Sequence, residues 1–328
     1  MNIKKIGMTA LAASLVSTSV FAGELTATGS ASITVENYSG TTVDAGKGFS
    51  MADSVHLAGS TELDNGMTVS VSFELDGDDV FDDRSVTVSS DAMGTLKFSG
   101  HGGSSAVSAI DATAAGDIFD TFDAQILTGL DGTAGIAETN AVAGNAAMLT
   151  SPGGDNSLYY TLPSMVDGLS ISASYNPKGA AAESSSAYAG TYTGIEGLSV
   201  SYGVGSDDSG LTAFKADITS MKASYAYGPI TVGYSDHEFD SATDTRDQDT
   251  TSYSVAYTVT DAISVSYGTE VMDSGEGSID AEYSSIAVSY TAGGMTISAA
   301  QKEADNISYT DTVGEDQDYW SLTLGFAF

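Results

Sequence analysis

Apolar and polar residues alternate along most of the chain. In the stretch 67–75 every odd position is apolar and every even position is Thr, Ser or Glu. The same alternation recurs elsewhere, among other places at 25–36, 169–175, 198–204, 230–234, 253–259, 263–267 and 320–328. A period of two is typical of β-strands that bury or shield one face. The pattern therefore predicts an all-β chain.

The connections between these strands alternate in length. Seven short turns contain Gly, Asn, Asp or Pro, and eight longer loops lie near 37–48, 76–83, 100–156, 177–187, 205–211, 237–250, 271–282 and 304–318. We therefore predict sixteen antiparallel strands with both termini on the short-turn side. The apolar parity changes around Ser220, which we interpret as a β-bulge.

The second face of these strands consists of Ser, Thr, Gly and charged residues, and it cannot form the shared apolar core of a soluble sandwich. The pattern fits an apolar face towards lipid and a polar face towards water. Backbone groups in hydrocarbon must all be paired, so the sheet must close into a transmembrane β-barrel. Sixteen strands leave an aqueous channel. Aromatic residues near strand ends suit the membrane interfaces: Tyr175, Tyr202, Tyr234, Tyr267 and Trp320.

The N-terminus has the pattern of a secretory signal peptide. Lys4 and Lys5 precede a short apolar segment, and small residues stand before a cleavage point after Ala22. We predict that residues 1–22 are removed and that residues 23–328 form the barrel. An N-terminal membrane anchor is less well supported because the apolar segment is too short to span a bilayer.

Composition and charge exclude several classes of function. The chain has 44 acidic and 10 basic residues and a formal net charge of −34, so binding to nucleic acid through phosphate neutralisation is not expected. It contains no cysteine, which excludes disulfides, thiolate catalysis and cysteine-based metal sites.

Three segments resemble the general-diffusion porins of Gram-negative outer membranes, most closely the alphaproteobacterial type. The first is the C-terminal strand, which is similar to the signal read by the barrel-assembly machinery and whose apolar positions are Trp320, Leu322, Leu324, Phe326 and Phe328. The second is the strand–turn–strand segment 160–169. The third is the long loop at about 100–156, third in order, where the family has its constriction loop.

The resemblance implies a homotrimer of separate pores among outer-membrane lipid and lipopolysaccharide, passing small hydrophilic solutes. It also implies that the third loop folds into the lumen and carries acidic residues there: Asp111, Asp117, Asp120, Asp123, Asp131 and Glu138. The three-residue spacing of Asp117, Asp120 and Asp123 predicts that they share one side of a short helical turn. The alternative is that these are solvated loop charges.

The family sets a basic cluster on the wall opposite this loop. The candidates here are Lys97, Lys215, Lys222 and Arg84. Parity places Lys97 in the lumen. Lys215 faces inward if Phe214 and Ala216 face out, and Lys222 does so if the bulge exists. Arg84 stands at a strand end and can belong to the rim. Glu36, Glu62 and Glu74 also fall on the polar face. This small basic set weakens a transverse field and favours cation selectivity.

The outer loops are rich in carboxylates, which suit Ca²⁺ or Mg²⁺. Five lie at Asp76, Asp78, Asp79, Asp82 and Asp83, and five more at Asp305, Asp311, Glu315, Asp316 and Asp318. None matches the EF-hand spacing, so a solvated acidic surface is the alternative. No cofactor is required by this interpretation.

Other functions have weaker support. A hydrolase would need a nucleophile oriented by His56, His101 or His237, and the sequence has no G-x-S-x-G segment. A secreted calcium-binding β-roll or adhesin would show a short fixed repeat, and none is present. A substrate-specific channel stays open as an alternative, as does a non-conducting structural or calcium-binding barrel.

Overall fold

The computed structural model describes residues 25–39, 46–76, 83–122, 154–177, 184–208, 215–242, 247–275, 279–307, 309 and 316–328. Sixteen strands form a closed antiparallel barrel in which each strand pairs with its sequence neighbours and β1 pairs with β16. The predicted strand number and closure are confirmed. The predicted signal peptide, residues 1–22, lies outside the described residues.

The strands are β1 Thr26–Ser39, β2 Gly46–Glu62, β3 Thr68–Asp76, β4 Arg84–Ser90, β5 Gly94–His101, β6 Ser157–Thr161, β7 Leu169–Asn176, β8 Ser185–Tyr192, β9 Leu198–Asp208, β10 Lys215–Tyr227, β11 Ile230–Ser241, β12 Gln248–Thr260, β13 Ile263–Ser274, β14 Ala281–Ala292, β15 Met295–Asp305 and β16 Gln317–Ala327. In the described part of the chain, no helix is long and apolar enough to cross a membrane.

The outer surface of the barrel carries the apolar residues of the alternating pattern. On β5, Leu96 and Phe98 are 44% and 42% exposed, and Lys97 between them points to the other face. Trp320, Leu322 and Phe326 are likewise exposed on β16. Exposure of so many large apolar groups on one continuous surface is explained by contact with lipid.

The seam and the turns depend on glycine in two places. Gly29 exchanges two backbone hydrogen bonds with the terminal Phe328, of 2.8 and 3.0 Å, and so joins the two ends of the barrel. At the start of β5, next to the short turn, Gly94 has φ +76°, and a Cβ there would lie 2.2 Å from the carbonyl oxygen of Thr161. A larger residue at this turn would therefore separate neighbouring strands.

The prediction of a β-bulge at Ser220 is wrong. Strand β10 pairs in continuous register with both β9 and β11 through this position. The parity changes because Ala216 and Ile218 face inward and pack against a loop inside the barrel, not against lipid. Shifts in register occur instead between Arg84 and Ser85, and between Thr258 and Thr260.

Candidate functional site

The connection between β5 and β6 runs along the inside of the barrel wall. Its first described part, residues 102–122, is held by wall hydroxyls that accept backbone N–H groups. The amides of Ala106, Ala114 and Ala115 donate to Ser174 of β7, Ser235 of β11 and Ser252 of β12, at 2.8, 2.9 and 2.9 Å. At the far end Tyr38 of β1 donates its hydroxyl to the carbonyl oxygen of Thr121 at 3.0 Å. We call residues 102–122 the inner loop.

Two apolar clusters lie between the inner loop and the wall. In the first, Ala106 and Val107 pack against inward residues of β8 and β10: Ala187, Ala189, Ala216 and Ile218. In the second, Ile118, Phe119 and Phe122 pack against wall residues Met272, Ala281, Tyr283, Ala304 and Tyr319. Burial of these side chains favours the loop position, because each removes apolar surface from water. The inward apolar residues of the wall thus face the loop and not the channel.

Two glycines in the wall allow the inner loop to pack close to the strands. A Cβ on Gly268 would lie 2.6 Å from the Cβ of Ala115, and one on Gly233 would lie 3.2 Å from the Cβ of Ala114. Both distances are shorter than ordinary van der Waals contact. The loop therefore approaches the strands closely because these positions lack a side chain.

Glu270 of β13 anchors the middle of the inner loop. It is 1% exposed, and its carboxylate accepts hydrogen bonds from the hydroxyl of Thr113 and from the amides of Ile118 and Phe119, the latter two at 3.0 and 3.1 Å. A buried carboxylate requires such donors, because its transfer from water is otherwise very unfavourable. Sequence reasoning missed this residue, although the period of two places it on the inward face.

The acidic residues of the inner loop have different environments. Asp117 has φ +54°, and its Oδ1 accepts the amide of Thr113 at 2.7 Å, so part of this carboxylate stabilises a turn. A helical turn exists at 117–122 with i to i+3 hydrogen bonds, and it directs Ile118, Phe119 and Phe122 to the wall. That Asp117, Asp120 and Asp123 share one side of it stays a prediction. Asp120 is exposed on the other side. Asp123, Asp131 and Glu138 lie outside the described residues.

Asp111 has the strongest perturbation among these acids. Burial is the main cause and the neighbouring charge of Asp117 adds to it, and together they raise the pKa of Asp111 to about 7. Burial and Asp117 also raise the pKa of Asp120, while Lys302 opposes the rise. The charge of the loop therefore depends on pH near neutrality.

The predicted basic residues divide between the two faces. Lys97 faces the lumen from β5, and Lys222 of β10 donates its Nζ to the carbonyl oxygen of Ala112 at 2.6 Å. Lys215 takes the outward parity because Ala216 next to it faces the inner loop. Arg84 pairs with the outward Phe73 and its side chain lies beside Gly100, so it belongs to the outer rim. Lys215 and Arg84 are thus corrected: neither is a pore-wall residue.

Lys302 of β15 was missed by sequence reasoning. Its Nζ donates to the hydroxyl of Thr121 near the end of the inner loop. The signal was present, because a period of two from the outward Ile297 places residue 302 on the inward face. The surrounding run of Gln301 and Glu303 obscured it.

The three predicted lumen acids all have inward parity. Glu36 accepts the hydroxyl of Tyr319 at 2.9 Å, and Glu74 lies 2.8 Å from the Nε2 of His56 on the neighbouring strand. Glu62 is exposed at the short-turn end of β2. Their contribution to ion passage stays a prediction.

A second segment folds over the end of the inner loop. Ile307 and Tyr309, which follow β15, are 1% and 5% exposed and belong to the same apolar cluster as Phe122. The hydroxyl of Tyr309 accepts a hydrogen bond from Gln248 at 3.1 Å. No local sequence pattern indicates that part of this acidic loop faces inward.

Two alternative sites, a serine–histidine pair for hydrolysis and a metal site, can be compared with the described residues. Ser220 and His237 form a hydrogen bond of 2.9 Å, yet they are 1% and 4% exposed on a wall covered by the inner loop, so the pair is not accessible to a substrate. Among the described residues, no group of three or more His, Asp or Glu could hold a metal ion. Asp78, Asp79, Asp82, Asp311 and Glu315 lie outside the described residues.

A closed sixteen-stranded barrel with an apolar exterior and a loop folded along its inner wall is the architecture of an outer-membrane channel. The chain belongs to the Gram-negative porin family, whose sequence profile matches residues 7–306. The predicted resemblance is therefore confirmed. Family and fold together indicate a non-enzymatic outer-membrane channel for diffusion.

Solved porin structures share the fold at low sequence identity. An anion-selective porin from Comamonas acidovorans has a TM-score of 0.66 at 15% identity, covering 93% of this chain and 100% of that chain. A loop L8 deletion mutant of OmpT, an outer membrane protein of Vibrio cholerae, has a TM-score of 0.64 at 16% identity, covering 93% and 99%. A triple mutant of the Rhodopseudomonas blastica porin has a TM-score of 0.63 at 14% identity, covering 93% and 100%. No curated protein sequence matches the chain.

Proposed function

We propose that the chain forms a water-filled, cation-preferring channel for passive diffusion of small hydrophilic solutes and ions. The observation that carries the proposal is the inner loop, which narrows the barrel from one side and brings Asp111, Asp117 and Asp120 into the lumen. A narrow aqueous path lined mainly by one sign of charge concentrates counter-ions and excludes co-ions.

Cation preference is supported by the inward charges of the described residues. Glu36, Glu62 and Glu74 add to the acids of the inner loop, and the corrected positions of Lys215 and Arg84 remove two positive charges from the expected wall, of which Lys302 restores one. A reversal potential of the anion-selective sign under a KCl gradient would contradict this preference.

Liposome swelling tests diffusion against substrate-specific transport. For a diffusion channel we expect initial swelling rates that rise linearly with solute concentration and fall smoothly as neutral sugars increase in size. Saturation of the rate by one solute, with competition by its analogues, would favour the substrate-specific channel instead. Absence of swelling with folded protein would support the non-conducting barrel.

We also propose that the channel is a homotrimer, as the family generally is. Asp53 supports it: this residue has outward parity in the middle of β2, between Met51 and Val55, which are 66% and 40% exposed. A carboxylate at this depth is unfavourable against lipid and is accommodated at a protein interface. Native mass spectrometry should detect trimers, and Asp53→Leu should weaken them. An unchanged trimer stability in this variant would place Asp53 outside the subunit interface.

A second proposal concerns the binding of divalent cations to the outer surface. Outward acids lie directly opposite each other near the long-loop end, as in the pairs Asp217 with Asp240 and Glu238 with Asp249. Like charges placed opposite each other destabilise a sheet. We propose that Ca²⁺ or Mg²⁺ screens this surface among lipopolysaccharide phosphates. Chelation with EDTA should then lower the temperature at which the barrel unfolds on gels, and MgCl₂ should restore it.

A further inference from the structure

The inner loop divides the channel wall into two parts. From Ala106 to Thr121 the loop contacts β7 at Ser174, β11 at Ser235 and finally β1 at Tyr38, so it covers the wall from β7 through β16 to β1. Strands β2–β5 lie across the channel from it. We call these the covered wall and the free wall.

Three lysines of the described residues have inward parity, and two of them lie on the covered wall. Lys222 and Lys302 both donate hydrogen bonds to the inner loop itself, at Ala112 and Thr121. The positive charge of Lys222 also offsets a small part of the rise in the pKa of Asp111, and that of Lys302 offsets part of the rise in the pKa of Asp120. These lysines therefore compensate the loop acids locally and fix the loop in place.

Among the described residues of the free wall, one lysine has inward parity, because Lys47 of β2 takes the same outward parity as Phe49. Lys97 of β5 shares this wall with Glu62 and Glu74, and His56 lies against Glu74. Acids are thus present on both sides of the channel. In the described part of the chain, a basic wall does not face the acidic loop.

We propose that the constriction has a field of a single sign and that the channel selects small organic ammonium solutes, such as amines and diamines, with no advantage for zwitterions. The proposal rests on the cation preference proposed above and specifies its solute class. Opposed acidic and basic walls would orient a dipolar solute and stabilise both of its ends. Walls of one sign attract the ammonium end of a zwitterion and repel its carboxylate, so the two effects largely cancel.

Four solutes of nearly equal length test the proposal: 1,4-butanediol, 4-amino-1-butanol, 4-aminobutanoate and butanoate. Uptake of the isotope-labelled compounds into proteoliposomes is measured in symmetrical KCl, so that salt movement balances charge. We expect the amine to enter at least threefold faster than the diol, the zwitterion to enter no faster than the diol, and the carboxylate to be slowest. A zwitterion entering threefold faster than the diol would overturn the proposal.

Failure of the underlying function gives different results. If folded protein passes no diol, the channel proposal fails; if it passes diol but the amine is not faster, the cation preference fails.

Two variants that each remove one positive charge distinguish the effect of a lysine on the electric field of the channel from its role in anchoring the inner loop. Lys97→Gln should raise the ratio of amine to carboxylate uptake and leave the inner loop protected from hydrogen exchange, whereas Lys302→Gln should increase exchange of that loop. Lys302→Arg should restore protection. Equal effects of Lys97→Gln and Lys302→Gln on both readouts would contradict the assignment.

Discussion

Glu270→Gln tests whether one buried carboxylate holds the inner loop against the wall. The wild-type carboxylate accepts three hydrogen bonds from Thr113, Ile118 and Phe119. Gln keeps one carbonyl oxygen and presents an amide N–H₂ group in place of the other oxygen. The bond from Phe119 is then lost, because two donors face each other, and the other two bonds become neutral.

The expected magnitude follows from these three bonds. Hydrogen bonds to charged groups contribute about 1.5–3 kcal/mol each and neutral ones about 0.5–1.5 kcal/mol. Removal of a buried charge offsets part of the loss. We therefore expect release of the loop to become about 2–4 kcal/mol more favourable, which corresponds to an exchange rate about 30- to 1,000-fold faster for the amides that Glu270 holds.

Hydrogen exchange with mass spectrometry of a peptide covering 113–122 measures this release directly. Glu282→Gln is the matched control, because Glu282 lies on the next strand, faces outward and pairs with Val271. The control should leave exchange of the loop unchanged. If Glu270→Gln and Glu282→Gln give the same loop exchange within threefold, the anchoring role of Glu270 is refuted.

Three other predictions follow from named contacts. Because the pKa of Asp111 is raised to about 7, its carboxyl group is neutral below that pH and charged above it. Cation selectivity should therefore increase as the pH rises through about 7. Asp111→Asn should remove this step in selectivity. Gly268→Val should push the inner loop into the lumen, since a Cβ there meets Ala115 at 2.6 Å, and should lower single-channel conductance. Deletion of Phe328 removes two hydrogen bonds to Gly29 at the barrel seam and should reduce the yield of heat-modifiable barrel in assembly assays.

Each of these predictions has a control. Asp64→Asn in an exposed short turn should keep the pH step in selectivity. A Cβ at Gly190 would have its nearest neighbouring atom at 3.8 Å, so Gly190→Val should not change conductance. Leu25→Ala alters an exposed residue near the same end of the barrel without touching the seam bonds and should assemble normally. An equal effect of variant and control would contradict the corresponding contact.

The barrel could be predicted from the sequence because lipid imposes a period-two pattern on every strand. The same reasoning placed Lys97 correctly, since Leu96 and Phe98 on either side face lipid. It failed at Lys215 because Ala216 was assumed to face lipid, whereas Ala216 packs on the inner loop. An apolar residue gives the same signal whether lipid or a loop covers it.

The details of the site could not be predicted from local pattern. Glu270 holds amides of Ile118 and Phe119, more than 150 positions earlier in the chain. Parity identifies the face of such a residue, but the partner depends on where a loop without periodicity crosses the barrel. Ile307 and Tyr309 illustrate the same point, because their burial depends on the position of Phe122.

The most direct test of the account is the single-channel conductance of purified protein in a planar bilayer, with the reversal potential measured under a KCl gradient. We expect stepwise openings of a water-filled pore and a reversal potential of the cation-selective sign. Absence of conductance from a folded, heat-modifiable barrel would contradict the channel, and an anion-selective potential would contradict the role assigned to the inward acids.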